Sequence, residues 1–360
     1  MDAVKRPTAV RDPREKIKVE FDRAPLAQRI KSKYLSFFFV KKVVWYIFRL
    51  VLLIGVSYVV LFPFITKIAG SFMAPQDFID VTVLIIPKNF TMDTYAAVFS
   101  ELKYMEAFIN TFMLSITCAV LQTLSCSLIA YGLAKFKFKG GKYVFLAVVL
   151  TMVVPHQTLY YSMFVNFRWF DFKDPISTLF DWPGIFEYIG KLGVKDLANG
   201  LNLNNTYFPL IVLSIFGLAF KNGLYIFLLR QFFRGVPDEL EESAYIDGSG
   251  VFQTFVKIIL PLSVPMMITV FLFSFSWQWT DSFYSGLFFP TSKTLLMSSI
   301  VGIPESLRVK SEMFIAGQNM YFSAIRNTCG IMIILPLVIV YVFCQKFLVQ
   351  GIERSGLTAD

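Results

Sequence analysis

The sequence predicts an all-α membrane protein with six transmembrane helices and both termini in the cytoplasm. Of its 360 residues, 56% are hydrophobic and 17% are aromatic, while only 16% are charged. Soluble proteins average about 45–50% apolar and about 25% charged residues, so this composition excludes an ordinary soluble fold. Six separate apolar runs approach the length of about 20 residues that a helix needs to cross about 30 Å of hydrocarbon.

Each apolar run is expected to form one membrane span. The only certain charges inside the runs are Arg49, which lies near the cytoplasmic end of the first and can extend its side chain to the interface, and Lys221 in the fourth. The lone His156 follows Pro155 in the third run, where a hydrogen-bonded residue at a helix break is favoured over a catalytic role. The predicted spans cover residues 43–66, 107–134, 143–167, 207–229, 262–280 and 327–345.

The basic residues set the orientation of these spans. Lys and Arg cluster before Val43 and again in the short turn 135–142, as the positive-inside rule predicts for cytoplasmic flanks. The net charge of +9 therefore indicates membrane topology, and nucleic acid is not an expected partner. An even number of spans returns residues 346–360 to the cytoplasm, and the long loops 67–106, 168–206 and 281–326 are expected outside.

Three regions make up the predicted domain organisation. Residues 1–42 form a basic cytoplasmic segment, residues 43–350 the six-span domain, and residues 351–360 a cytoplasmic tail. The part of the basic segment from residue 24 onward suits an amphipathic helix on the anionic leaflet, or equally an ordinary basic flank. The first apolar run has no suitable cleavage site and is expected to be a retained membrane anchor rather than a signal peptide.

Catalytic and metal-binding chemistry has little support in the sequence. The four cysteines all fall inside apolar runs, without a C-x-x-C pair or a histidine at ligand spacing, so neither a metal site nor a disulfide framework is expected. There is no G-x-x-x-x-G-K-[ST] phosphate loop, since the Gly140-Gly-Lys stretch lacks its spacing. We therefore expect no cofactor, no catalytic residue and no ATP hydrolysis through such a loop by this chain.

A polar segment between the fourth and fifth apolar runs carries the most specific pattern. It reads Glu242-Ser-Ala-Tyr-Ile-Asp-Gly248, then nine residues, then Ile258-Ile-Leu-Pro261. Acidic residues after Pro237 favour a helix start, and Gly248 can adopt the left-handed conformation that ends a helix. The pattern predicts two short helices joined at Gly248, the second ending at Leu260-Pro261.

The spacing of this segment resembles the EAA loop of permease subunits in bacterial binding-protein-dependent ABC importers. That loop has the form E-A-A-x-x-x-G, nine residues, then I-x-L-P, and Ser243 is the one departure from it. Within this family, the segments most similar to permeases of carbohydrate importers are residues 228–242, 258–265 and 277–281, and they resemble the second maltose permease subunit most. The resemblance as a whole covers about residues 43–165 and 201–357. The resemblance implies a type I ABC importer permease fold and an ATPase-coupling loop over 231–261 that includes Glu241, Glu242, Ser243, Ala244, Asp247, Gly248, Ile258, Leu260 and Pro261.

Roles inside the coupling loop follow from residue chemistry. We expect Ala244 to keep one face low enough for close docking of an ATPase, and Glu241 and Glu242 to offer carboxylates to basic groups. A plain solvated helix start is the alternative for an acidic run taken alone, and the spacing through Pro261 disfavours it.

The resemblance implies further partners and a substrate. They are a second homologous permease subunit, two ABC ATPase subunits, an extracytoplasmic sugar-binding protein, membrane lipid and a sugar. Trp277 and Trp279, near the outer end of the fifth span, are candidates for the substrate path, with packing against neighbouring helices as the alternative. The aromatic insertion at about 168–200 suits an interfacial belt, or otherwise a surface that stacks on sugar rings or docks the binding protein.

Two other functions remain open at this point. An ion-coupled secondary transporter is disfavoured because the interiors of the predicted spans contain no Asp or Glu. An ABC importer permease for a solute other than a sugar is the second alternative.

Overall fold

A computed structural model describes residues 37–168, 202–219, 221–289, 294–312 and 317–356. Within these ranges the chain is helical, and its one β-type pairing is an isolated bridge between Met73 and Phe90. The chain divides into two compact units, residues 1–65 and residues 66–360, with the boundary inside the first helix. Most of the predicted segment 1–42 and nearly all of the insertion at about 168–200 lie outside the described residues.

The described residues form fourteen α-helices, numbered α1 to α14 along the chain. The first seven, α1 to α7, are Phe37–Gly70, Asp93–Glu101, Tyr104–Lys135, Gly141–Val153, Tyr160–Arg168, Phe208–Ile215 and Asn222–Arg234. The next seven, α8 to α14, are Glu239–Ile246, Val251–Leu262, Val264–Trp279, Phe283–Phe288, Leu296–Ser299, Glu305–Glu312 and Gln318–Gly356.

Three helices in the described part of the chain are long and apolar enough to cross a membrane alone: α1 over Lys41–Gly70, α3, and α14 over Gln318–Leu348. Two bent pairs, Gly141–Val153 with His156–Arg168 and α9 with α10, raise the number of candidate spans to as many as five. The sequence predicted six. The difference arises at the fourth apolar run, where α6 and α7 are short, separate helices.

Local chemistry explains the breaks in the third and fourth runs, of which the sequence predicted the one at Pro155-His156. The third run bends by 96° after Val153, where Pro155 has no N–H to continue the backbone ladder. His156 follows the break and its Nδ1 lies 3.2 Å from the Tyr284 hydroxyl, which fits the interpretation as a hydrogen-bonded residue at a helix break. In the fourth run, Gly217 and Lys221 both have positive φ, 70° and 66°, which helical backbone cannot adopt.

Helix α3 occupies the centre of the larger unit. It packs along α7 and α10, and α10 packs in turn on α14. Near its C-terminal end, the buried Tyr131 meets Phe233 and Phe255 in one apolar cluster. A second cluster joins the other half of α3 to α10 and α14. The packing gives the segment after α7 a firm support against the end of α3.

Candidate coupling site

The segment with the EAA-like spacing begins on a helix held by its own backbone. The carbonyl of Asp238 accepts hydrogen bonds from the backbone N–H groups of Glu241 and Glu242, both at 3.0 Å, and α8 follows. Glu239, Glu241 and Glu242 lie in its first turn, where the positive end of the helix dipole favours carboxylates. The predicted start of a helix just after Pro237 is confirmed.

Gly248 ends α8 in the left-handed conformation that the sequence predicted, with φ of +82°. The Gly248 N–H donates to the Tyr245 carbonyl at 3.1 Å and the Ser249 N–H to the Ala244 carbonyl at 2.9 Å. This pair of bonds is the Schellman motif, which satisfies the last carbonyls of a helix. A Cβ added at Gly248 would meet no atom within 4 Å, so backbone conformation rather than space is what calls for glycine there.

Helix α9 departs from the prediction at its far end, because it does not stop at Leu260-Pro261. It continues to Leu262, and the chain then bends by 79° into α10. Residues Phe255–Ile259, just before Pro261, form a π-helical turn. A proline removes one hydrogen bond and crowds the carbonyl four residues earlier, and a widened turn accommodates both effects without ending the helix. The elbow, defined here as residues 236–262, therefore runs directly into a candidate span.

The exposed side of the elbow differs from the one expected. Glu242, Ser243, Asp247 and Gly248 are exposed, but Glu241 is buried and Ala244 is only 4% exposed. The expectation that Ala244 forms a docking face is therefore wrong, because that face of α8 packs inside the chain. The outer face instead carries large apolar side chains, a set we call the apolar knob: Leu240, Tyr245, Ile246, Val251 and Phe252.

The I-x-L-P part of the segment lies against the helix bundle. Ile258 and Leu260 are partly buried against the cluster at the C-terminal end of α3, and Ile259 between them is fully buried in it. Pro261 is exposed. These residues anchor the second half of the elbow, while the apolar knob projects from the first half and from the start of α9.

One charged contact of the elbow was missed by sequence reasoning. The ammonium group of Lys135, the last residue of α3, donates to the Val236 carbonyl at 2.8 Å and to Asp238 Oδ1 at 2.6 Å. It also lies 3.7 Å from Glu241 Oε1, and the lysine side chain is only 6% exposed. The sequence shows Lys135 as one of several basic residues in a turn, and no local signal marks its partners about 100 positions away.

The ionisation of the two carboxylates reflects their different surroundings. The hydrogen bond from Lys135 lowers the pKa of the exposed Asp238 below its ordinary value. Burial raises the pKa of Glu241, and the attraction of Lys135 only partly offsets that effect. Asp238 is therefore the hydrogen-bonded carboxylate partner of Lys135, and Glu241 is a more distant ion-pair partner.

The two tryptophans proposed for the substrate path have different environments. Trp279 is only 1% exposed, donates its Nε1–H to the Ile333 carbonyl at 2.9 Å and packs against Phe108 and Phe275. It is a packing residue between α3, α10 and α14, which corrects its assignment to the path. Trp277 is 47% exposed and its ring centroid lies 4.9 Å from the Lys221 ammonium, so only Trp277 stays a candidate.

Comparison with known proteins identifies the family. The sequence profile of the family described as "Binding-protein-dependent transport system inner membrane component" matches residues 123–354, a stretch that includes the whole elbow. The chain belongs to this family. It is therefore an inner-membrane transport component, and the ion-coupled secondary transporter considered above is not supported.

Individual relatives agree with the family assignment. The galactooligosaccharides transport system permease protein GanQ of Bacillus subtilis is 26% identical over 322 residues, which cover 88% of this chain and 97% of the relative. The alpha-glucoside transport system permease protein AglG of Rhizobium meliloti is 30% identical over 274 residues, 75% of this chain and 61% of the relative.

A solved structure shows the same fold. A crystal structure of a bacterial ABC transporter involved in the import of the acidic polysaccharide alginate superposes with a TM-score of 0.62 and 18% sequence identity. The match covers 85% of this chain and 97% of the other. The fold of this family member is therefore that of an ABC importer permease.

Proposed function

We propose that the chain is a permease subunit of an ATP-driven carbohydrate importer that takes up oligosaccharides. Relatives named for galactooligosaccharides, alpha-glucosides and arabinooligosaccharides support a sugar polymer as the substrate class. The proposed complex contains a second homologous permease, two ABC ATPase subunits and an extracytoplasmic sugar-binding protein. The chain forms half of the translocation pathway in this complex, with Trp277 on the path.

The proposed topology has six spans with both termini in the cytoplasm. The basic turn between α3 and α4 supports a cytoplasmic position for the elbow, because turns rich in Lys and Arg stay inside. The fourth span is then a broken one formed by α6 and α7, which line a protein interior where irregular backbone can be tolerated. Residues 1–42 and 351–360 are cytoplasmic, residues 43–350 form the permease domain, and the insertion at about 168–200 lies at the outer interface.

The observation that carries the coupling function is the apolar knob on the elbow. Ile246 is 86% exposed and Phe252 is 70% exposed, on a segment held rigidly to the bundle through Ile259. Large apolar side chains exposed together on a water-facing segment indicate a protein interface. We assign residues 231–261 as the ATPase-coupling loop, in which Ile246 and Phe252 enter a groove of the ATPase and Glu242 and Asp247 contact its basic groups.

The proposed mechanism is alternating access. Closure of the two ATPases on ATP moves the knob, and α9 and α10 carry that movement to a cavity that opens outward. Only a difference in ATPase contacts between the two states can shift their populations. The bend at Ser263 and the firm anchoring of Ile259 allow the elbow to act as a lever rather than a loose loop.

Co-purification of the ATPase tests the assignment. Ile246→Asp places a charge at the centre of the apolar knob, so the ATPase retained by the purified complex should fall by about tenfold or more, as for a central interface residue. The control is Val301→Asp, which also places an aspartate at an exposed β-branched residue, but in the region expected outside. The complex with this variant should retain the ATPase. Equal retention by the two variants would remove the knob from the ATPase interface.

A further inference from the structure

We infer that Lys135 is a positioning residue that makes helix α3 move with the coupling elbow. Two connections of the elbow are covalent, to α7 before it and to α10 after it. Lys135 adds a charged connection to α3, a helix that is not adjacent in the chain, beside the apolar contact of Tyr131 with Phe255. The inference rests on the proposed coupling function and extends it to the route by which movement leaves the elbow.

The contact has the geometry of a clamp. The Lys135 ammonium donates to the Val236 carbonyl at 2.8 Å and to Asp238 Oδ1 at 2.6 Å, and it lies at ion-pair distance, 3.7 Å, from Glu241 Oε1. Val236 precedes α8, Asp238 caps it, and Glu241 lies in its first turn. The lysine thus holds one short helix at its N-terminal end, where backbone and side-chain acceptors converge.

Burial distinguishes this clamp from a surface ion pair. Exposed pairs typically contribute little because water and salt screen them, and Asp238 by itself would be such a partner. The ammonium, however, is shielded together with Glu241, so its removal leaves a buried carboxylate without a cation. Arg230 of α7 reinforces the same end of α3, since its Nε donates to the Leu133 carbonyl at 3.1 Å.

Helix α3 extends from the clamp to the opposite end of the larger unit. About 29 residues separate Lys135 from Glu106, which corresponds to roughly 44 Å of α-helix. At that end Asn110 Nδ2 donates to the Thr294 carbonyl at 3.1 Å, and Thr111 Oγ1 accepts from the Leu296 N–H at 3.0 Å. A displacement of the elbow applied at Lys135 therefore reaches the segment around Thr294, which is expected on the outer side.

The amount of sugar transported per ATP hydrolysed tests the clamp. The complete complex, with partner permease, ATPases and binding protein, is reconstituted in proteoliposomes with Lys135→Met, which keeps an unbranched stem and removes the charge. We expect the ATPase to stay bound and the sugar-per-ATP ratio to fall about fivefold or more, the usual range for a lost coupling between sites. Lys139→Met, the same change at an exposed lysine of the same turn, should leave the ratio unchanged.

Asp238→Asn keeps the experiment decisive if Lys135→Met does not accumulate. The Asp238 side chain is 78% exposed, so its substitution is not expected to prevent folding. The sugar-per-ATP ratio of the Asp238→Asn complex should fall less than that of Lys135→Met, because the contacts of Lys135 with Val236 and Glu241 remain. The double variant should be no worse than Lys135→Met alone, because the two residues share one interaction.

Two results would overturn the inference. One is a Lys135→Met complex that keeps its ATPase and shows an unchanged sugar-per-ATP ratio. If the Lys135→Met variant does not accumulate, the same result with Asp238→Asn overturns the inference. The other is loss of the ATPase from Lys135→Met complexes, which would place Lys135 in docking rather than in transmission. If instead the elbow is not the site that binds the ATPase, the Ile246→Asp complex keeps its ATPase. That result differs from both results that overturn the role of Lys135.

Discussion

At the scale of single residues, Gly248 provides a sharp test because only its backbone conformation requires glycine. Gly248→Val forces a β-branched residue into positive φ and should cost about 1–2 kcal/mol of strain, enough to displace the knob. Gly250 has φ of −75° and equally open space, so Gly250→Val is the matched control. We expect sugar uptake in a strain lacking the native subunit to fall with Gly248→Val and to persist with Gly250→Val; equal uptake would show that the left-handed turn is dispensable.

Ala244 and Ser243 are neighbours on α8 with opposite environments. Ala244→Asp would bury a second carboxylate close to Glu241, which should destabilise the elbow by about 1–3 kcal/mol, the cost of an unsatisfied buried polar group. Ser243→Asp adds the same side chain at an exposed position and should be nearly neutral. Limited proteolysis of the purified complex measures the difference, and equally rapid cleavage at the elbow in both variants would contradict the burial of Ala244.

The residue scale also shows what sequence can and cannot predict. The left-handed Gly248 was predictable because a helix stop depends on local backbone chemistry. The burial of Ala244 and the contacts of Lys135 were not, because they depend on tertiary packing, and the partners of Lys135 lie about 100 positions later in the chain. The same distinction separates Trp277 from Trp279, two positions apart on one helix and facing different neighbours.

At the scale of elements, Trp279 joins α10 to α14. Trp279→Phe keeps an aromatic ring but loses the hydrogen bond to the Ile333 carbonyl, which then lies buried without that donor. A cost of about 1–3 kcal/mol is expected, seen as a lower midpoint of thermal unfolding of the purified complex. Trp277→Phe, on the exposed face of the same helix, should change the midpoint much less, and a larger shift there would contradict the packing described for α10.

Helix existence was predictable from apolar length and the break at Pro155-His156 from the proline, but the break in the fourth run was not. The first, second and sixth apolar runs form the continuous helices α1, α3 and α14. Helices α1 and α14 each contain one internal proline and continue through it. The third run contains Pro155, and its break there is consistent with the rules for proline. The fourth contains no proline in its middle, and its break depends on positive φ at Gly217 and Lys221, which hydrophobicity alone does not report.

At the scale of the whole molecule, the proposed topology places opposite ends of the larger unit on opposite sides of the membrane. A cysteine at Lys139, in the basic turn after α3, should react with a membrane-impermeant thiol reagent only in inside-out vesicles. A cysteine at the highly exposed Val81, in the first outer loop, should react only in right-side-out vesicles. The native thiols Cys118, Cys126 and Cys329 are buried, and Cys344, which is only partly buried, is replaced by serine in both variants. Labelling in the reverse pattern would contradict cytoplasmic termini.

The family assignment also predicts how the molecule behaves alone. Purified without partners and reconstituted, this chain should neither hydrolyse ATP nor accumulate sugar, because a permease subunit depends on a separate ATPase. Accumulation driven by a proton or sodium gradient in such proteoliposomes would instead support an ion-coupled carrier.

The central claim is that the apolar knob of the elbow is the surface to which the ATPase binds. A photo-crosslinking amino acid at position 246, in the assembled complex in its native membrane, tests this contact directly. We predict a covalent adduct with the ATPase from position 246 and none from position 301. An adduct with the ATPase from position 301 would contradict the claim. So would the absence of an ATPase adduct from position 246 in a complex that still transports sugar.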